Sequence, residues 1–192
     1  MAEKIERINA LSDFFIQGKK NKNATIYFSL DSNLKIQQIA TWPEEFNKLV
    51  EHLNSFLSNG SCSKHGLVNI NKNYSIIRTE PLKWWTLGES DKIISSLNKL
   101  NVVTLDLSHS WVKLNITGPN SEKLLLHHVP LDLRNKNFPS LTFASSVIHN
   151  VGVKLLKNQK GYSLFLPRSF AVSLWNLIEQ TALRYEYKIF NI

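Results

Sequence analysis

The stretch from Asn101 to Leu133, NVVTLDLSHSWVKLNITGPNSEKLLLHHVPLDL, constrains the fold more than any other. Val103, Leu105 and Leu107 alternate with Val102, Thr104 and Asp106, and Val112, Leu114 and Ile116 alternate with Trp111, Lys113 and Asn115. Alternation with a period of two marks a half-buried strand, because successive side chains leave opposite faces. The polar break at Ser108, His109 and Ser110 predicts a hairpin between the two runs. Gly118 stops the second strand, and Pro119 suits a first helical turn, where its missing N–H would have no partner anyway. Glu122 falls near the positive helix end. Leu124, Leu125, Leu126 and Val129 supply the buried side of a short helix that Pro130 ends. The unit is strand, strand, helix.

Similar units flank it. Residues 25–30 alternate and predict a strand, and 34–41 a weaker one. Thr41 and Glu44 have capping-box spacing around Pro43, and Phe46, Leu49, Val50, Leu53 and Leu57 mark one face of a helix. Strands are expected at 67–71 and 74–79, with a further one from Trp84 to Gly88. Adjacent Trp84 and Trp85 must leave opposite faces, which predicts that one is exposed. Ser90 is placed as N-cap of a helix using Ile93, Ile94, Leu97 and Leu100. Residues 147–156 read as a strand bulged at Gly152, answered by 162–166. Ser169 is placed as the cap of a helix that buries Ala171, Leu174, Trp175, Ile178 and Ala182. Residues 185–190 read as a terminal strand. Ile5, Ile8, Leu11 and Phe15 have helical spacing, and 17–24 is a polar loop. The sum is an α+β fold with helices packed on antiparallel sheets. It divides into an N-terminal segment, 1–24, and two α+β halves, 25–100 and 101–192, that make one domain.

The composition narrows the function. A chain of 192 residues with 43% hydrophobic content suits one globular domain. No run approaches the roughly 20 apolar residues that cross a bilayer. The N-terminus lacks the pattern of a signal peptide, and Cys62 is the single cysteine, so a cytoplasmic protein without disulfides is expected. Cys62 lies in a Gly-Ser-Cys-Ser loop and is read as a structural thiol. The net charge of +8 raises nucleic acid as a partner. The lysines are scattered, however, without zinc-finger spacing or a basic helix, so an acidic protein is the better fit.

Sites are sparse. Asp106, Ser108 and His109 are read as a side-chain-stabilised turn, since triad members meet through folding and not through proximity in sequence. His127 and His128 are adjacent on a helix and point about 100° apart, the wrong geometry for one metal. The glycines form neither a dinucleotide fingerprint nor a phosphate loop. No catalytic residue and no metal site is assigned.

Asp106-Leu107-Ser108-His109, Gly118-Pro119 and the leucine-rich helix resemble the aminomethyltransferase family, the T-protein of the glycine cleavage system. Pro130-Leu131-Asp132-Leu133, Phe138-Pro139 and Pro167-Arg168-Ser169-Phe170-Ala171, leading to Leu174-Trp175, resemble the gamma subunit of heterotetrameric sarcosine oxidase more closely. The resemblance spans residues 75–185 and implies two ferredoxin-like halves, as in the folate-binding domain of T-proteins. It further implies a non-catalytic role beside large alpha and beta subunits and a small delta subunit. FAD, FMN, NAD, zinc and tetrahydrofolate would sit on those partners, and none on this chain. Asp132 matches an aspartate that contacts folate in the T-protein family. Leu131 replaces the asparagine that usually precedes it, so Asp132 is read first as a local turn or capping residue at the helix exit, with the remnant of a folate pocket as the alternative that the resemblance implies.

Overall fold

The computed structural model describes residues 8–190 except 17, 20 and 59. Ile5 lies outside that range. Five α-helices, α1 (Ser12–Phe15), α2 (Phe46–Asn54), α3 (Asp91–Ser96), α4 (Ser121–Leu126) and α5 (Ala171–Ala182), pack on two sheets. The strands are β1 (Ile26–Leu30), β2 (Ile36–Thr41), β3 (Val68–Ile70), β4 (Tyr74–Glu80), β5 (Lys83–Gly88) and β6 (Val102–Asp106). They continue as β7 (Trp111–Thr117), β8 (Thr142–Ile148), β9 (Val151–Lys157), β10 (Gly161–Pro167) and β11 (Tyr187–Ile189). None of the described helices is long and apolar enough to cross a membrane.

The five-stranded sheet runs β3-β4-β5-β2-β6 and the six-stranded sheet β11-β1-β7-β10-β9-β8. Within the first, β2, α2, β4, β5, α3 and β6 make a ferredoxin-like βαββαβ unit. The second unit runs β7, α4, β9, β10, α5 and β11, with β8 added at one edge. Between β7 and β11 lies β1, parallel to β11, so the sheets do not divide at residue 100.

The expected hairpin at 102–117 does not form. β6 pairs with β2, whereas β7 is filled on both sides by β1 and β10 in the other sheet. The polar break is a crossing between sheets. There the Leu107 N–H donates to the Ile36 carbonyl, the Ile36 N–H to Ser108 Oγ at 3.0 Å, and the Ser108 N–H to Asp106 Oδ1 at 2.7 Å. The turn reading of Asp106 and Ser108 therefore holds. A second difference lies at 147–156. His149 and Asn150 both have positive φ (46° and 68°) and form a tight turn that divides the segment into β8 and β9. Gly152 pairs regularly with Val147, without a bulge.

Three caps are also absent. Thr41 Oγ1 makes no hydrogen bond, and Pro43 opens a 3-10 turn ahead of α2 instead. Ser90 Oγ accepts from Thr86 Oγ1 at 2.7 Å, and Ser169 lies inside a 3-10 turn. In α4, Leu124 and Leu125 are buried but Leu126 is exposed. The stripe on α5 is buried as expected.

Each sheet has a helix side and an inner side, and the two inner sides meet. α4 and α5 cover the six-stranded sheet over Phe28, Leu114, Leu164 and Trp175, while α2 and α3 cover the other over Ile39, Ile76 and Trp84. Trp85 fills the middle layer, in edge contact with Trp111 at 5.2 Å, Phe165 at 5.8 Å and Phe143 at 5.9 Å. Both tryptophans of β5 are thus buried, against expectation, because both faces of that strand are covered. At one corner the sheets clasp directly: the Phe143 N–H donates to the Gly66 carbonyl and the Val68 N–H to the Leu141 carbonyl. Gly66 has φ +72°, and a Cβ there would lie 2.7 Å from the Phe143 carbonyl oxygen, so the clasp admits only glycine.

Trp85→Ala is expected to cost about 3–5 kcal/mol, the range for deleting a buried aromatic side chain, and to weaken the near-ultraviolet circular dichroism. Urea denaturation of the variant and the parent measures it. Cys62 is buried beneath Trp84, whose indole N–H donates to the Cys62 carbonyl at 2.8 Å. Burial pushes its thiol pKa up to about 12. The thiol stays neutral in the folded state, so its contribution to stability is complete below the ordinary thiol range and fades as the pH rises through it. Ellman's reagent at pH 8 should leave the native chain untouched and titrate one thiol after denaturation.

Candidate functional site

A cleft of about 370 Å³ opens between the inner faces of the two sheets. The turn joining β3 to β4 brings Lys72, the segment entering β2 brings Lys35, and β7 brings Lys113. Lys113 Nζ lies 3.1 Å from Asp31 Oδ2, the one carboxylate in the lining, and Lys35 Nζ lies 2.8 Å from Glu89 Oε1 outside it. Deeper in, Ser163 Oγ donates to Asn115 Oδ1 at 2.8 Å, and Asn158 Nδ2 to Ser163 Oγ at 3.4 Å. Lys35 and Lys113 are thus ion-paired, so three lysines set against Asp31 and Glu89 leave the cleft a small positive balance that suits an anionic group. Its described lining holds neither histidine nor cysteine, hence no nucleophile–base pair of the usual kind.

Asp132 does not line this cleft. It lies in the loop after α4, where Arg134 and Asn137 donate to its carboxylate and the Arg134 N–H also donates to Oδ1. The Arg134 and Asn137 side chains hold its carboxyl well below the ordinary carboxylate range. The same loop is fastened from below. Lys157, buried on the helix side of β9, donates to the Leu133 carbonyl at 3.0 Å and lies 3.7 Å from Glu122 Oε2. Tyr162 donates to that same carboxylate at 3.0 Å, and burial, more than this bond, raises its hydroxyl above the usual range. Lys157, Glu122 and Tyr162 thus tie α4, β9, β10 and the 130–133 segment together. Alternation in β9 gave no sign of this, because a lysine in an alternating run is expected to point outward.

The remaining titratable groups gather into no metal site among the described residues. His127 Nε2 lies 2.8 Å from the Tyr185 hydroxyl. His128 is shifted down, first by burial and then by His127 and His149. Trp175 belongs to the core, and Trp111 packs against Trp85 in the middle layer.

No protein-family model matches the sequence, and no curated protein does either. Solved structures do share the fold, and two of them show its range. A chain of the heterotetrameric sarcosine oxidase from Corynebacterium sp. U-96, solved with pyrrole 2-carboxylate, superposes with a TM-score of 0.79 at 15% identity, covering 93% of this chain and 96% of that one. The glycine cleavage system aminomethyltransferase T from Bartonella henselae superposes with a TM-score of 0.58 at 13% identity, covering 81% of this chain and 46% of that one. The fold is that of the T-protein-like domain.

The loop geometry predicts that Arg134→Ala returns the Asp132 carboxyl toward its ordinary range without unfolding the chain. Carboxyl carbon shifts followed by NMR between pH 2 and 6 measure this.

Proposed function

We propose that the chain is a non-catalytic, gamma-type subunit of a heterotetrameric oxidase that demethylates sarcosine, or another N-methyl amino acid, in the cytoplasm. One observation carries the reading: the match to the sarcosine oxidase chain is nearly end to end in both directions, whereas the aminomethyltransferase is about twice as long as the region matched. In this reading the chain packs against the large alpha and beta subunits and a small delta subunit. FAD, FMN, NAD, zinc and tetrahydrofolate belong to those partners, and the positive charge of this chain complements an acidic surface.

A second reading, a folate-binding protein that acts alone, draws on the cleft, where Lys35, Lys72 and Lys113 suit an anionic ligand. The two readings differ in what the isolated chain does. The subunit reading predicts a colourless protein, inactive toward sarcosine, that binds tetrahydrofolate no more tightly than about millimolar, or −4 kcal/mol. Absorbance after desalting and calorimetric titration measure both. A stoichiometric flavin spectrum would defeat the subunit reading, and micromolar folate binding abolished by Lys113→Ala would establish the second.

A further inference from the structure

β6 joins strong apolar alternation to exposure. Val103 and Leu105 are 58% and 53% exposed, yet they lie on the inner side of the five-stranded sheet. Gln38 stands opposite both Leu105 and Trp85, so one face carries a buried tryptophan and, two strands over, two bare aliphatic side chains. The six-stranded sheet covers this face at Trp85 and stops short of its edge. Trp42, just past the end of β2 where Ala40 pairs with Val103, is 55% exposed. Three large apolar groups at one sheet edge make the kind of patch that marks a contact surface, and an exposed tryptophan is a common anchor of such contacts.

The backbone of β6 is equally available. β2 occupies one side and, among the described residues, no strand occupies the other. The bond from the Leu107 N–H to the Ile36 carbonyl sets the phase of the ladder. Val103 and Leu105 therefore turn their backbone groups toward β2, and Thr104 and Asp106 turn theirs outward. Edge strands are usually guarded by lysine, proline or a bulge. β6 has none of these; its single charge is Asp106.

We propose that the β6 edge seats an extended strand of an acidic partner protein, a large flavoprotein subunit of the complex; this rests on the subunit reading above. Charge selects the occupant. Two copies at +8 repel each other, whereas an acidic partner is drawn in. The edge carries no basic side chain, so the seated strand is apolar where it meets Val103 and Leu105, and the partner's acidic groups lie outside the strand pair. Attraction at a distance speeds the encounter, while backbone bonds and apolar contact hold the strand.

The test is amide hydrogen exchange on the free chain and on the complex co-expressed with the large oxidase subunits. It is paired with the double variant Val103→Lys, Leu105→Lys, both at exposed positions. The amides of Thr104 and Asp106 should slow at least tenfold in the complex, and the variant should melt like the parent yet co-purify at least tenfold less, despite its added positive charge. Co-purification of the parent with no protection in β6 would overturn the docking site and leave the subunit reading standing. Failure of the parent to co-purify would overturn both. A homodimer with β6 protected would overturn the acidic partner in favour of a second copy. If the lysine variant does not fold, Val103→Ser with Leu105→Ser replaces it, and the exchange measurement on the parent decides independently.

Discussion

The architecture depends on Trp85. It stands on the central part of the five-stranded sheet and meets Trp111, Phe143 and Phe165 of the other sheet, so two ferredoxin-like units share one interior layer. Because both faces of β5 are thereby occupied, the helices are confined to the outer sides, and the chain becomes four layers: helices, sheet, sheet, helices. Charge also crosses the layer. Lys154 of β9 reaches Glu80 of β4 at 3.8 Å beside the Trp85 ring, at a site dry enough that burial lowers its affinity for a proton. Aromatic packing of this kind orients the sheets as well as burying area, since edge contacts at 5–6 Å tolerate little sliding.

Once the sheets are locked, the chain must pass between them, and it does so twice by exchange. β1 precedes the first unit in sequence but lies in the sheet of the second, and the turn from β6 to β7 leaves one sheet for the other. The Gly66 clasp closes the opposite corner. Among the described residues the β6 edge and the lysine-lined cleft stay open, one with room for a macromolecule and the other for a small anion.

Local pattern was legible where a single face decides burial. The α5 stripe and the outer alternation of β7 could be read directly, because Leu114, Ile116, Leu174 and Trp175 each face one core. Pairing was not legible. Alternation in Val103 and Leu105 states that a strand has two faces, but says nothing of which neighbour it takes or whether a second sheet reaches far enough to cover it. The same limit misjudged Trp84 and Trp85, since a strand between two layers has no exposed side. Caps failed for another reason: Thr41 and Ser90 sit at suitable spacing, yet 3-10 turns and a competing hydroxyl took the geometry. The local turn expected at Asp132 is present, with the Arg134 N–H donating to Oδ1, but the Arg134 and Asn137 side chains that also hold the carboxylate could not be read from spacing.

A fold shared across catalytic and structural chains does not assign a role; the role follows from what the surfaces bind. Here an apolar edge, a positive net charge and a fold match covering 96% of an oxidase chain are the observations behind the proposed role as a subunit that holds larger partners. Native mass spectrometry of the assembly isolated through a tag on this chain tests that claim most directly. The account predicts one copy of the chain bound to flavin-containing subunits larger than itself. A monomer or homo-oligomer carrying its own ligand, with no flavoprotein attached, would contradict it.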